Sequence, residues 1–264
     1  MITKLGTVIE NVPKVYASGY DTGHAMGYTA GLMDGLESGT LEGIKQGKQA
    51  EYDAFWDGFQ RNGTFGTYTY AFAFWTEDTF KPKYDVYPIN ASNMFNNFNN
   101  GKTPHTNLTT HFESIGVKLD TSRCTNFENM FYFSWISRIP VLDTRKASNI
   151  NNILNSATRT ITVDKIILKD DGSQTFSYSF YSCTALVNIE FEGVIGNNIN
   201  FKESTKLSAK SMVSVVEHLS DTTSLKTLTF PATAVNNADW STTEYESWDA
   251  LIATKPNWSF SLVS

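Results

Sequence analysis

The residues best suited to acid–base or metal chemistry are few and scattered along this chain. Its four histidines and two cysteines lack the HExxH, CxxC or i, i+4 spacing that holds a metal ion. Adjacent carboxylates occur at Asp170-Asp171 and at Glu190/Glu192 and suggest a glycosidase, but any acidic chain supplies such pairs. The sequence therefore predicts no catalytic residue, no metal site and no cofactor.

Cys124 and Cys183 are the two cysteines of the chain. They could pair as a disulfide or bind a metal, or they could be buried free thiols. Their isolation and the absence of a CxxC spacing favour buried thiols.

Eight glycines recur at every fourth residue early in the chain: Gly19, Gly23, Gly27, Gly31, Gly35, Gly39, Gly43 and Gly47. Each glycine inside a helix costs roughly 0.8–1.0 kcal/mol relative to alanine, which close packing of a second backbone can offset. A period longer than 3.6 predicts right-handed wrapping. The charged residues among the glycines argue against a membrane span, and a loose linker or turn array is the alternative. We interpret this run as a helix that joins copies of the chain or docks on a partner.

An aromatic stripe follows. Thr67–Phe74 alternates as a strand does, with four rings on one face: Tyr68, Tyr70, Phe72 and Phe74. Aromatic rings stack on sugar faces, so these residues are a candidate ligand face. The alternative is that they cover the open end of a core, and the sequence favours that alternative.

From about residue 90 a loose repeat places these residues in a larger frame. Asn93-Met94-Phe95 recurs as Asn129-Met130-Phe131, then as Asn152-Ile153-Leu154 and more weakly as Ser179-Phe180-Tyr181. Short apolar strands are predicted at Ile139–Leu142, at Ile161–Val163 or Ile166–Leu168, at Leu186–Phe191 and at Leu225–Phe230, with a helix over 208–220. A turn plus a strand cannot bury its own apolar face, so stacked units predict an α/β leucine-rich-repeat solenoid with a parallel strand ladder.

The chain therefore divides into five predicted parts: a segment 1–17, the glycine helix 18–50, an N-terminal cap 51–90, repeats 91–230 and a C-terminal cap 231–264. In the last part, Ser241–Glu244 has the pattern of a capping box that starts a helix through Trp248, and Trp258–Leu262 alternates as a final strand. The asparagine-rich tract Asn93–Asn107 is either a ligand loop or, as we favour, a loop that connects repeats.

Composition limits the partners. The net charge of −6 and pI near 5.2 argue against general nucleic-acid binding. The sequence predicts no membrane span, and Met1–Tyr16 does not read as a signal peptide.

Residues 50–264 resemble the irregular leucine-rich repeats of BspA-like bacterial surface proteins, and more closely short repeat proteins of bacteriophages and prophages of gut bacteria. The motifs that carry the resemblance are EYDAFWDGFQRNG, YAFAFWTEDTFKPKYDVYP, LDTSRCTNFENMFYFSWISRIPVLDT, YSFYSCTALVNIEFEGVIG and WDALIATKPNWSFSLV. The resemblance implies surface attachment or a virion-associated structural role, with a host protein or glycan as partner. It also implies a protein made in the bacterial cytoplasm or associated with a virion, with the bacterial surface as the alternative. A bacterial adhesin and a glycan-active enzyme are the alternatives. The uneven repeats and the glycine run depart from the family pattern.

Overall fold

The computed structural model describes residues 72–73, 75–77, 80–82, 85–221 and 225–264. The glycine run and the rest of residues 1–71 lie outside these ranges. The described part has a mixed α/β architecture with a curled parallel sheet and few short helices.

All strand pairs in the described residues are parallel, as the repeat pattern predicts. The first sheet contains β1 (Thr106–Asn107), β2 (Ile136–Ile139), β3 (Leu142–Asp143), β4 (Thr162–Ile167) and β5 (Asn188–Glu192). The second contains β6 (Ile199–Asn200), β7 (Lys226–Pro231) and β8 (Trp258–Val263). The two alternative positions predicted for a strand within 161–168 both overlap β4, which has an irregularity between Val163 and Ile166.

Four short α-helices accompany the sheets in the described chain: α1 (Leu108–Ile115), α2 (Ala209–Glu217), α3 (Ala232–Asn237) and α4 (Trp248–Ile252). Helix α2 and strand β8 confirm two predicted elements. The predicted capping box at Ser241–Glu244 is wrong. Ser241 lies in a 3-10 helix, Trp240–Thr242, capped by Asp239, and Ser247 instead caps α4 by accepting a hydrogen bond from Ala250 N.

A ladder of turns packs against the same core as the first sheet. We call it the turn ladder and its four segments rung 1 (93–97), rung 2 (129–133), rung 3 (152–156) and rung 4 (178–182). Backbone N–H groups of each of the first three rungs donate to carbonyls of the next at 2.8–3.2 Å, as in Phe95 N to Met130 O and Leu154 N to Ser179 O. The chain passes from each rung to a strand of the first sheet, so turn and strand repeat as one unit.

The first and last residue of every rung has a left-handed backbone, with φ between 53° and 61°. Asparagine tolerates this conformation better than most residues. Asparagine occupies four of these eight positions: Asn93, Asn97, Asn129 and Asn152. The asparagine-rich tract therefore serves turns, as the connecting-loop interpretation predicts.

The hydrogen-bond register corrects the fourth sequence copy by one residue. Asn152 N donates to Ser177 O and Leu154 N donates to Ser179 O, which aligns Asn152 with Tyr178 and Leu154 with Phe180. The fourth copy is Tyr178-Ser179-Phe180, and Tyr178 takes the position that asparagine takes in the other three.

A column of buried rings runs through the core at the centre of the rungs. It contains Phe72, Phe95, Phe131, Phe180, Phe201 and Phe230, with Leu154 at rung 3. Phe95 and Phe131 stack at 5.3 Å, and Phe180 and Phe201 stack at 4.5 Å. Phe72 N donates to Met94 O, so the ladder continues into the predicted N-terminal cap. The hydrogen bonding of the ladder thus extends to a residue before position 91, where the sequence predicts that the repeats begin.

Helix α2 closes the free edge of β5. The Ser211 hydroxyl accepts a hydrogen bond from Ile189 N, and the Ser214 hydroxyl accepts one from Phe191 N, both at 2.9 Å. The two serines are three residues apart, so they share one helix face. They satisfy the alternate N–H groups that a further strand would otherwise bind.

Candidate binding surface

The turn ladder carries a group of aromatic side chains, exposed except for the half-buried Tyr132, which we call the aromatic turn surface: Tyr132, Phe133, Tyr178 and Tyr181. Tyr132 and Phe133 of rung 2 meet edge to face at 4.5 Å, and Tyr178 and Tyr181 of rung 4 meet edge to face at 6.0 Å. Tyr178 is 68% exposed and Phe133 is 44% exposed. Large rings so exposed on a folded protein commonly mark an interaction surface.

Two of these rings stand on a costly backbone. Phe133 has φ of 53° and Tyr178 has φ of 54°. A bulky side chain in the left-handed region costs roughly 1–2 kcal/mol, because Cβ approaches the following carbonyl oxygen. The equivalent positions of the other rungs hold asparagine or serine. Strain of this kind persists where function requires the side chain.

Amides occupy the rungs that alternate with the aromatic ones. On rung 3, Asn155 Nδ2 donates to Asn152 Oδ1 at 2.9 Å, and the Ser156 hydroxyl donates to Asn155 Oδ1 at 2.9 Å. Rung 1 has the same arrangement, in which Asn96 Nδ2 donates to Asn93 Oδ1 at 3.0 Å. The amide side chains of rungs 1 and 3, which are half-buried except for the buried Asn96, are therefore held in place by bonds between neighbours.

The four rungs contain no charged residue: their sequences are NMFNN, NMFYF, NILNS and YSFYS. The nearest cation is Lys202, whose ammonium lies 5.4 Å from the ring centre of Tyr181 and 3.7 Å from Glu203. Beyond rung 2, the guanidinium of Arg159 lies 5.1 Å over the ring of Trp135. The rungs themselves are uncharged, and an ion pair lies beside rung 4, where the Ser182 hydroxyl donates to Glu203 Oε2 at 2.7 Å.

An open cleft of about 560 Å³ contains the first carboxylate pair. Asp170 and Asp171 line it together with Glu217, Asp221 and Lys255. Hydrogen bonds from the side chain and backbone of Ser173 hold the pKa of Asp171 below its ordinary value. A glycosidase needs one carboxyl with a raised pKa as its general acid, so this shift does not favour Asp171 in that role.

The glycines of this cleft serve close packing. A Cβ on Gly196 would lie 2.2 Å from Gly172 O, and one on Gly193 would lie 2.4 Å from Leu168 O. These glycines let neighbouring loops approach each other. The second carboxylate pair, Glu190 and Glu192, is exposed along β5, and Glu192 pairs with Lys165 at 3.3 Å.

The predicted binding residues fall partly outside the described residues. All eight glycines of the run lie there, as do Tyr68, Tyr70 and Phe74. Phe72 is completely buried and packs against Phe80 and Phe95, so it is a core residue and presents no face to a ligand. The strand predicted over Thr67–Phe74 is wrong at Phe72 and Ala73, which form a turn.

The cysteines are buried free thiols, as predicted. Burial raises the pKa of Cys124 to about 11 and also raises that of Cys183. His111 is a buried residue of α1, and its Nε2 lies against the carbonyl oxygen of Phe80. Among the described residues no group of three or more His, Cys, Asp or Glu could hold a metal ion.

Sequence reasoning missed the aromatic turn surface. The one-residue shift of the fourth copy placed Ser179 where Tyr178 belongs, which concealed the replacement of asparagine by tyrosine. A spacing of three residues separates the paired side chains of rungs 1, 3 and 4, at 93/96, 152/155 and 178/181, whereas the ring pair of rung 2 is 132/133. Aligning the copies on that spacing would have revealed it.

Comparison with known proteins adds no family to these observations: the chain matches no protein-family model, no curated protein and no solved structure. No helix in the described ranges is both long and apolar enough to cross a membrane.

Proposed function

We propose that this chain is a non-enzymatic recognition protein that binds a host-surface partner through the aromatic turn surface. The observation that carries the proposal is the placement of Phe133 and Tyr178. Both are exposed, and both occupy left-handed positions that the other rungs give to small or amide side chains. Folding alone does not account for rings at these positions, whereas binding does.

The finer fold in this proposal is an irregular leucine-rich-repeat solenoid. The parallel strands, the turn ladder and the shared column of phenylalanines support it, because each repeats once per unit. In such a fold the turn surface of several units forms one continuous binding face.

The resemblance to phage and prophage repeat proteins supports a place on a virus particle. In this arrangement the glycine run joins copies or docks on the particle, and the ladder faces the host. Several copies on one particle would raise the avidity of a weak individual site.

Binding to intact cells tests the proposal. The full-length protein, fluorescently labelled, is mixed with a panel of gut bacterial strains and measured by flow cytometry. We expect it to label at least one strain, and the Tyr178→Asn/Tyr181→Asn double variant to lose that labelling.

The matched control is Leu225→Asn, which removes a side chain that is 74% exposed and lies outside the ladder. It should label cells as the wild type does. Failure to label any strain, or equal labelling by the double variant, would contradict the proposal.

A further inference from the structure

The alternation of aromatic and amide rungs points to the class of partner: we infer that the aromatic turn surface binds a neutral glycan. The inference rests on the proposed function, since it names the ligand of the same surface. Rungs 2 and 4 present rings and rungs 1 and 3 present amides, so stacking and hydrogen-bonding groups follow each other along the ladder.

The spacing of the rings fits linked sugar rings. Tyr132 and Tyr181 occupy the same position two rungs apart, because the backbone bonds align Tyr132 with Asn155 and Asn155 with Tyr181. Hydrogen-bonded backbones lie about 4.8 Å apart, so the two positions are separated by about 10 Å. That distance is comparable to the length of a disaccharide, whose apolar ring faces pack on aromatic side chains.

Rung 3 lies between the two aromatic rungs and supplies fixed donors. The bond from Asn155 Nδ2 to Asn152 Oδ1 sets the orientation of the Asn152 amide. Within the described residues no hydrogen bond uses Asn152 Nδ2 or the hydroxyls of Tyr132, Tyr178 and Tyr181. These groups are available to sugar hydroxyls, and the fixed amide reduces the entropy lost on binding.

Charge separates this ligand from other classes. The four rungs carry no charge of their own, and beside rung 4 Lys202 and Glu203 already pair with each other at 3.7 Å. A strongly ionic peptide, a phosphorylated group or a nucleic acid therefore meets no run of opposite charge along the rungs. A protein partner is recognised best by clustered, fully desolvated aromatic anchors. Here an amide rung separates the two aromatic pairs. A flat, neutral and hydroxyl-rich molecule matches both kinds of rung.

The test uses an array of neutral and acidic bacterial oligosaccharides probed with the full-length protein. We expect binding to neutral members, and a loss of affinity of about tenfold in Tyr181→Asn, since one ring contact contributes about 0.5–1.5 kcal/mol. Asn152→Gly should also weaken binding, because it removes the amide yet keeps a residue that tolerates φ of 55°. Leu225→Asn is the control, and thermal melting verifies that every variant is folded.

A second arm separates this inference from the proposed function. Cells that bind the protein are treated with periodate, which cleaves sugar diols, or with protease. Loss of binding after periodate alone supports the glycan. Loss after protease alone, or array binding restricted to acidic glycans, overturns the inference of a neutral glycan and leaves the proposed host-surface partner in place. Absence of binding to untreated cells overturns both.

Discussion

Phe133 and Tyr178 show how a single side chain can act against the conformation that holds it. The turn ladder needs a left-handed residue at each end of every rung, and asparagine adopts that backbone at low cost. A ring at the same position strains the chain but projects outward from it. The sequence predicted the asparagines as turn residues. It did not reveal which aromatic residues share their backbone conformation, because that depends on register between distant turns.

Replacing Phe133 with asparagine should leave the protein more stable than replacing its ring partner Tyr132 with asparagine. We expect Phe133→Asn to raise the free energy of unfolding by about 0.5–1 kcal/mol relative to Tyr132→Asn, because it relieves left-handed strain. The two variants remove the same ring pair, and Tyr132 has no positive φ, so their difference isolates the backbone. Urea denaturation measures both. A Phe133→Asn protein no more stable than Tyr132→Asn would contradict the strain.

At the scale of elements, α2 ends the first sheet, because its serine hydroxyls bind the N–H groups at the free edge of β5. The apolar face of this helix was legible in the sequence as Met212, Val213, Val215 and Val216. Its serines were not, because small polar residues on a helix ordinarily face water. Helix α1 was missed for a related reason: Thr109, Thr110 and His111 are weak helix formers. Caps at Asn107 and Gly116, and burial of one face, stabilise it.

Removing either edge-sealing hydroxyl should be costly. Ser211→Ala leaves Ile189 N without its acceptor beside a nearly buried helix face, and Ser214→Ala does the same to Phe191 N. We expect each variant to lose about 1–3 kcal/mol of unfolding free energy, the cost of an unsatisfied buried donor. Chemical denaturation measures the loss. The exposed Ser148→Ala should change stability by less than about 0.5 kcal/mol, and equal effects at all three sites would contradict the sealing role.

At the scale of the molecule, the described residues combine two parallel sheets, one turn ladder and one column of rings around a shared core. Parallel strands and repeating units were predictable, because apolar runs recurred with a common neighbour in sequence. The boundary at residue 91 stays a prediction. Phe72 reads as a strand residue locally, and its place in the column depends on Met94 and Phe95, which are distant in sequence. Assembly remains a prediction from the glycines alone.

Light scattering of the full-length chain tests that prediction. We expect a mass above that of the 29.5 kDa chain, and a fall in mass for the Gly27→Leu/Gly31→Leu variant, since added side chains keep two backbones apart. Met33→Leu lies in the same run, between Gly31 and Gly35, and conserves volume, so it should leave the mass unchanged. A wild-type chain that is monomeric would overturn the assembly role.

The left-handed ends of the rungs also affect which single-nucleotide mutations the ladder accepts. Every asparagine codon differs from a tyrosine codon by one nucleotide, and the ladder holds both residues at the same backbone position, in Asn152 and Tyr178. A single point mutation can therefore convert an amide rung into an aromatic one at a modest cost in stability. Successive single mutations could therefore change the outward side chains of the ladder while the core, the strands and the ring column stay the same.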